Sequence, residues 1–79
     1  MKISVKLFAS LGDFAPGGES AKPFTCEIDA GMSLIGLIHQ LDIPADEAKL
    51  LFVNGRTRKR DYVLQPGDEV GIFPPIGGG

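Results

Sequence analysis

Two stretches of strict apolar alternation, one near each end of the chain, enclose a single stripe of helical spacing. No other feature of the sequence narrows the fold as much. At the start, Ile3, Val5 and Leu7 alternate with Lys2, Ser4 and Lys6. A period of two places the apolar three on one face of a half-buried strand. Phe8 is the odd member, an aromatic on the otherwise polar face. Near the end, Val70 and Ile72 alternate with Gly71 and Phe73, and Pro74-Pro75 stops the strand because proline cannot donate to a ladder. Between them, Leu34, Leu37, Ile38 and Leu41 fall at i, i+3, i+4 and i+7, directly after Ser33, a good N-cap residue. The spacing predicts a helix over about 33–41. Gly36 weakens it by up to ~1 kcal/mol against alanine, so packing must hold it, and Pro44 closes the segment.

The remaining segments complete an order of elements. Residues 12–22 carry Gly12, Pro16, Gly17 and Gly18 without a sustained period, which predicts a loop with one helical turn around Leu11–Phe14. Residues 23–29 alternate again, with Phe24, Cys26 and Ile28 on one face, so the N-terminal third is expected to be a long-looped hairpin. Residues 45–49 offer a further turn. Leu50 to Val53 is a short apolar run, and Asn54-Gly55 after it signals a type I′ hairpin turn, whose two central residues need positive φ. Arg56 to Arg60 is expected to be the return strand, short and charged as edge strands often are. Tyr62 and Leu64 pack a loop, and Pro66-Gly67-Asp68 is a turn. The order is strand, strand, helix, strand, strand, strand. It predicts an α+β fold, a mixed sheet of four to five strands with one main helix gripped on one face and the first and last strands parallel in the middle. This is the β-grasp arrangement. The expected division is a domain over residues 1–76 and a glycine tail over 77–79.

Size and charge exclude several functions. A single domain of 79 residues buries only about 60–65% of its unfolded-chain surface, which leaves little room for an enclosed cleft with its own lid. Net charge is -2, with Lys+Arg 8 against Asp+Glu 10, so no global positive field draws nucleic acid or an anionic membrane. The single cysteine forbids an internal disulfide and a cysteine-based zinc cage. Cys26, between Phe24 and Ile28, is expected to be a small core residue, and His39, off the helical stripe, to be solvated. Neither is a catalytic candidate, and no metal ligands are expected. Asp61 and Asp68 are expected to be turn residues. No apolar run is as long as the roughly 18 residues of a membrane helix, and the opening residues do not resemble a signal peptide, so the expected location is the cytoplasm.

The last residues point to chemistry. Gly77, Gly78 and Gly79 cannot add to a core. A glycine run at an end is either a frayed terminus or a main chain free of Cβ atoms, suited to a narrow channel. Its only reactive group is the α-carboxylate of Gly79. Adenylation by ATP would make that group an acyl phosphate anhydride, open to a sulfur or nitrogen nucleophile, with another protein's active site doing the catalysis.

Phe73-Pro74-Pro75-Ile76-Gly77-Gly78-Gly79, preceded by Pro66-Gly67-Asp68-Glu69-Val70, resembles the C-terminal signature of the ubiquitin-like sulfur carriers, and most of all the small subunit of molybdopterin synthase. Val53-Asn54-Gly55 and Phe8-Ala9-Ser10-Leu11 are similar to that family as well. The resemblance implies a non-catalytic, sulfur-donating subunit. An ATP-dependent, E1-like activating enzyme adenylates Gly79, and sulfur from a donor protein replaces AMP. The Gly79 thiocarboxylate then serves the large subunit of molybdopterin synthase in building the dithiolene of a molybdenum or tungsten pterin cofactor. No cofactor is bound by the chain itself; the ATP belongs to the activating partner. The chain departs from the family at Gly77, where a non-glycine residue is usual, and in its glycine- and proline-rich first loop, where members often have a helix.

Alternation also marks a partner surface. If Ile3, Val5, Leu7, Val70, Ile72, Leu51 and Val53 face the helix, then Phe8, Phe52 and Phe73 gather on the opposite face beside the tail. Aromatic residues are favoured interface anchors. With Pro74, Pro75 and Ile76 they form the expected partner-binding segment, and Gly77 and Gly78 would thread the partner's active site. Arg56, Arg58, Lys59 and Arg60 form a basic run, either a solvated edge or a contact to an acidic partner surface. Four functions stay open at this point: a sulfur carrier for pterin dithiolene formation; the same chemistry for thiamine thiazole or tRNA thiolation; a ubiquitin-like modifier joined to lysines through Gly79; and an interaction module with an inert tail.

Overall fold

The computed structural model describes residues 1–75. Strand β1 runs Lys2–Leu7 and β2 Phe24–Glu27. Helix α1 spans Leu34–Gln40. Strands β3 (Leu50–Val53), β4 (Arg56–Thr57) and β5 (Glu69–Phe73) follow. They form one five-stranded sheet in the order β2-β1-β5-β3-β4. β1 and β5 are parallel neighbours, with Val5 opposite Val70 and Leu7 opposite Ile72, and every other pair is antiparallel. This is the β-grasp sheet that the order of elements predicts.

The core lies between one sheet face and α1. Ile3, Val5, Leu7, Leu51, Val53, Val70 and Ile72 pack with Leu34, Leu37 and Ile38 of the helix. The helix is short, and its first turn is held from outside. Ser33 Oγ accepts from the Gly36 N–H at 3.3 Å, the N-cap bond expected of it. The N–H groups of Leu34 and Ile35 donate to the carbonyls of Tyr62 and Arg60, both at 2.9 Å. Helix-starting donors that would otherwise lack partners are thereby satisfied. Asn54 and Gly55 have φ of 52° and 81°, the two positive values a type I′ turn demands.

Three local expectations are corrected. The return strand is not Arg56–Arg60 but only Arg56–Thr57, because the backbone beyond it turns to cap α1. The first loop carries more than one helical turn: Ala9–Phe14 and Pro16–Gly18 are both 3₁₀ segments, and Leu11 and Ala15 are buried. Gly12 permits this packing, since a Cβ there would stand 2.7 Å from the Ser20 backbone nitrogen. Asp68 is more than a turn residue. Its side chain is buried, the residue being 6% exposed, and it organises a hydrogen-bond network described below. Ile76 and the Gly77–Gly79 tail lie outside the described residues.

Candidate functional site

The outer face of the sheet, opposite the helix, is built by parity. On β3, Leu51 and Val53 point inward, which leaves Phe52 outward and half-buried. On β5, Val70 and Ile72 point inward, which leaves Glu69, Gly71 and Phe73 outward. Phe8 lies one residue past β1 but keeps its parity, because its backbone is extended and its N–H donates to the Ile72 carbonyl at 3.0 Å. The structure thus brings together the three aromatics that alternation singled out. The Phe8 and Phe73 rings stack at 4.0 Å between centroids, 4° from parallel. Phe52 meets Phe73 edge-on at 5.5 Å and 72°. Contacts of this kind contribute about 0.5–1.5 kcal/mol each beyond area burial, so the cluster is a defined surface.

Two members of this face are not evident from residue type. Leu50 shares the parity of Phe52, pairs directly with Phe73, and is 42% exposed, which extends the apolar area. Gly71 sits opposite both Lys6 and Phe52 and contributes no side chain. Its bare backbone is part of the lining of an open hollow of about 300 Å³, which Phe8, Phe52, Phe73, Lys6 and Glu69 also border. The signal for Leu50 was present in the alternation. The signal for Gly71 was an absence, visible only once its two neighbours in the sheet are known.

β5 ends beside the start of β3. Lys49 N–H donates to the Phe73 carbonyl at 2.9 Å. Pro74, half-buried, and Pro75, exposed, then lead toward Ile76 without backbone donors. The ends of β3 and β5 remote from Phe73 are tied by Asp68. It accepts from Asn54 Nδ2 at 2.9 Å and the Gln65 N–H at 2.8 Å, with the Tyr62 hydroxyl more distant at 3.4 Å. Asn54 Oδ1 in turn accepts from the Glu69 N–H at 2.9 Å.

The other singled-out residues lie elsewhere. Cys26 is buried, and loss of hydration pushes its thiol above the ordinary range, with Glu27 adding to the rise and a hydrogen bond from Gln40 opposing it. His39 is exposed on the helix. The basic run is divided: Arg60 donates to the Ala45 and Ala48 carbonyls at 2.8 Å each, and the Arg58 guanidinium stands 5.0 Å over the Tyr62 ring. Among the described residues no group of three or more His, Cys, Asp or Glu side chains could hold a metal. None of the helices among them is long and apolar enough to cross a membrane.

Sheet order, helix placement and the outer aromatic face define a ubiquitin-like β-grasp protein. The sequence matches the Mut7-C ubiquitin family over residues 1–77, and the chain belongs to that family. No curated protein matches it. Among solved structures, it is similar to a putative molybdopterin converting factor subunit 1 from Pyrococcus furiosus, with 27% identity, TM-score 0.71 and coverage of 95% of this chain and 98% of that one. It is similar to SAMP1 from Haloferax volcanii, with 24% identity, TM-score 0.70 and 100% of both chains covered. It is also similar to a chain in the complex of subunits 1 and 2 of molybdopterin-converting factor from Helicobacter pylori, with 20% identity, TM-score 0.61 and 100% of both chains covered.

Proposed function

We propose that this chain is a sulfur carrier whose reactive group is the α-carboxylate of Gly79. An ATP-dependent activating enzyme would transfer AMP to that carboxylate with release of pyrophosphate, giving a mixed anhydride. A hydrosulfide equivalent from a donor protein would attack the carbonyl carbon and expel AMP, leaving a Gly79 thiocarboxylate. A larger catalytic subunit would then take the sulfur for dithiolene formation on a pterin. The chain's own contribution is to bind and to deliver. Phe8, Phe52 and Phe73, with Leu50, would anchor the partner, and Pro74-Pro75 would stiffen the exit of Ile76–Gly79 toward the partner's active site.

One observation carries this reading. Phe73 is both the centre of the aromatic cluster and the last hydrogen-bonded residue of β5 before the tail. A partner seated on the cluster would therefore receive the tail at a fixed starting point. The likeness to a protein whose Helicobacter pylori counterpart is seen in complex with subunit 2 supports a large-subunit partner. The likeness to SAMP1, a small archaeal modifier protein, supports a second reading in which a lysine amine attacks the activated Gly79 and forms an isopeptide bond.

Intact mass spectrometry tests both. After incubation with an activating enzyme, ATP and sulfide, the sulfur-carrier reading expects a mass gain of one sulfur-for-oxygen exchange, abolished by deleting Gly79. Conjugates to lysine in a cell extract would favour the modifier. An unchanged mass, under conditions that thiolate a known carrier, would refute both and leave an interaction module.

A further inference from the structure

Five of the eight lysines and arginines fall between residues 49 and 60: Lys49, Arg56, Arg58, Lys59 and Arg60. Four of them border an open groove of about 460 Å³ between the start of β3 and the 58–61 segment, with Leu51 and Asp61 completing the lining. Asp61 is the one carboxylate in that lining, so the groove is strongly positive within a chain of net charge -2. Among the described residues, no lysine or arginine of this segment makes an ion pair. The two ion pairs present join the Met1 ammonium to Glu27 and Lys22 to Glu19, in residues before β3.

Two of the four cations are also held in place. Arg60 is tied to the Ala45 and Ala48 carbonyls, and Arg58 lies over Tyr62. Charges already fixed lose less side-chain freedom on binding than free ones. The groove opens on the Leu51 side of β3, away from Phe52, so it is a surface distinct from the aromatic face. It still adjoins the end of β5, because Lys49 N–H bonds the Phe73 carbonyl.

We propose that this groove docks an acidic segment, a run of aspartate and glutamate, of a partner protein. Charge complementarity calls for an anionic occupant, and the number of cations and the lining favour a protein over a nucleic acid. A tight duplex binder makes roughly 6–10 phosphate contacts, whereas this groove presents four cations, and Arg60 spends hydrogen bonds inward. Its lining also has no exposed aromatic side chain on which a base would stack. The docking stands whether or not Gly79 is activated, since it involves no reaction at the tail.

The test uses the full chain and a fluorescein-labelled oligoglutamate peptide, with an oligothymidylate of equal charge in parallel. Binding is followed by anisotropy over a salt series, and its location by amide chemical shifts. Oligoglutamate is expected to bind at low salt, to weaken as salt rises, and to shift amides of Lys49, Leu51 and Arg58–Asp61. The double variant Lys49→Glu/Lys59→Glu alters two exposed side chains with no hydrogen bond or ion pair of their own. It is expected to weaken binding by about tenfold or more while the circular dichroism spectrum stays unchanged. A double variant that unfolds is replaced by Lys59→Glu alone, for which several-fold weakening is expected. The proposal is overturned by unchanged affinity in the folded variant, by no binding at low salt, by shifts spread equally over Lys2, Lys6 and Lys22, or by tighter binding of oligothymidylate.

Discussion

Replacing Asp68 tests how the outer face of the sheet is held in position. The Asp68 carboxylate makes two short hydrogen bonds, from the Gln65 N–H at 2.8 Å and from Asn54 Nδ2 at 2.9 Å, and one longer contact at 3.4 Å that counts for little. Hydrogen bonds to a charged group contribute about 1.5–3 kcal/mol each, and less where water reaches the orphaned partner. Both bonds are partly buried because Asp68 itself is, so Asp68→Ala is expected to lose about 3 kcal/mol. Asp68→Asn is the sharper probe. Asn54 Oδ1 is committed to the Glu69 N–H at 2.9 Å, which fixes the Asn54 amide group toward residue 68. An asparagine at 68 must then turn its own NH₂ either toward the Asn54 NH₂ or toward the Gln65 N–H, and one donor is left unpaired in each case. The expected loss is about 2 kcal/mol, a fall in Tm of roughly 8–16 °C for a domain of this size. Urea unfolding followed by circular dichroism measures it. A double-mutant cycle with Asn54→Gly, which keeps the positive φ of 52° accessible, is expected to show coupling above about 1 kcal/mol. If Asp68→Asn stays within about 0.5 kcal/mol of the parent chain, or the cycle is additive, the network does not hold β3 to β5 and this account of it is wrong.

Three further outcomes follow from the site and the core. Phe52→Asp removes one edge-on contact from a half-buried position, so it is expected to cost the fold about 1–2 kcal/mol yet abolish complex formation with a large subunit, read by size-exclusion chromatography; normal binding would remove Phe52 from the interface. Gly71→Leu places a Cβ 3.4 Å from the Phe8 ring and 3.9 Å from Phe52 Cβ, ordinary contacts, and fills the hollow; it is expected to keep or raise stability while weakening the same complex, and unimpaired binding would show that no partner group enters there. Cys26, buried with its thiol pushed up by loss of hydration, is expected to react with iodoacetamide at neutral pH at least about tenfold more slowly in the folded chain than in urea. The folded state holds that proton to higher pH than the unfolded one, so the thiol's contribution to stability is complete below its ordinary titration range and declines as pH rises through it.

The boundary between what could be read from the residues and what could not follows from the range of the interactions. Period-two alternation is a local property, and it is enough to assign a face to Ile3, Val5, Leu7, Phe52, Val70 and Phe73. The helical stripe with Ser33 ahead of it is equally local. Because β1, β3 and β5 are neighbours, local parity also places three aromatics on a common face. Asp68 escaped because Pro66-Gly67-Asp68 has the composition of a turn and does form one; the partner that makes it a buried anchor, Asn54, comes from another hairpin and meets it only through the β3–β5 register.

Arg56–Arg60 escaped for the complementary reason. Its composition suits an edge strand, but α1 begins with two N–H groups that need carbonyls, and Arg60 and Tyr62 supply them. That long-range demand outweighs the pairing available to a charged edge, so the strand ends at Thr57, one further bond runs from the Arg58 N–H to the Leu51 carbonyl, and the cations turn around a groove instead of along a strand. Gly71 is the extreme case. What it adds to the outer face is the volume it leaves empty, and an empty volume acquires meaning only from Phe8 and Phe52 on the flanking elements. Surfaces that recognise a partner are assembled from such cross-element relations. Pattern along a single sequence therefore locates the face of this protein but not its shape, and the Gly71→Leu variant, which changes shape while leaving the pattern intact, separates the two.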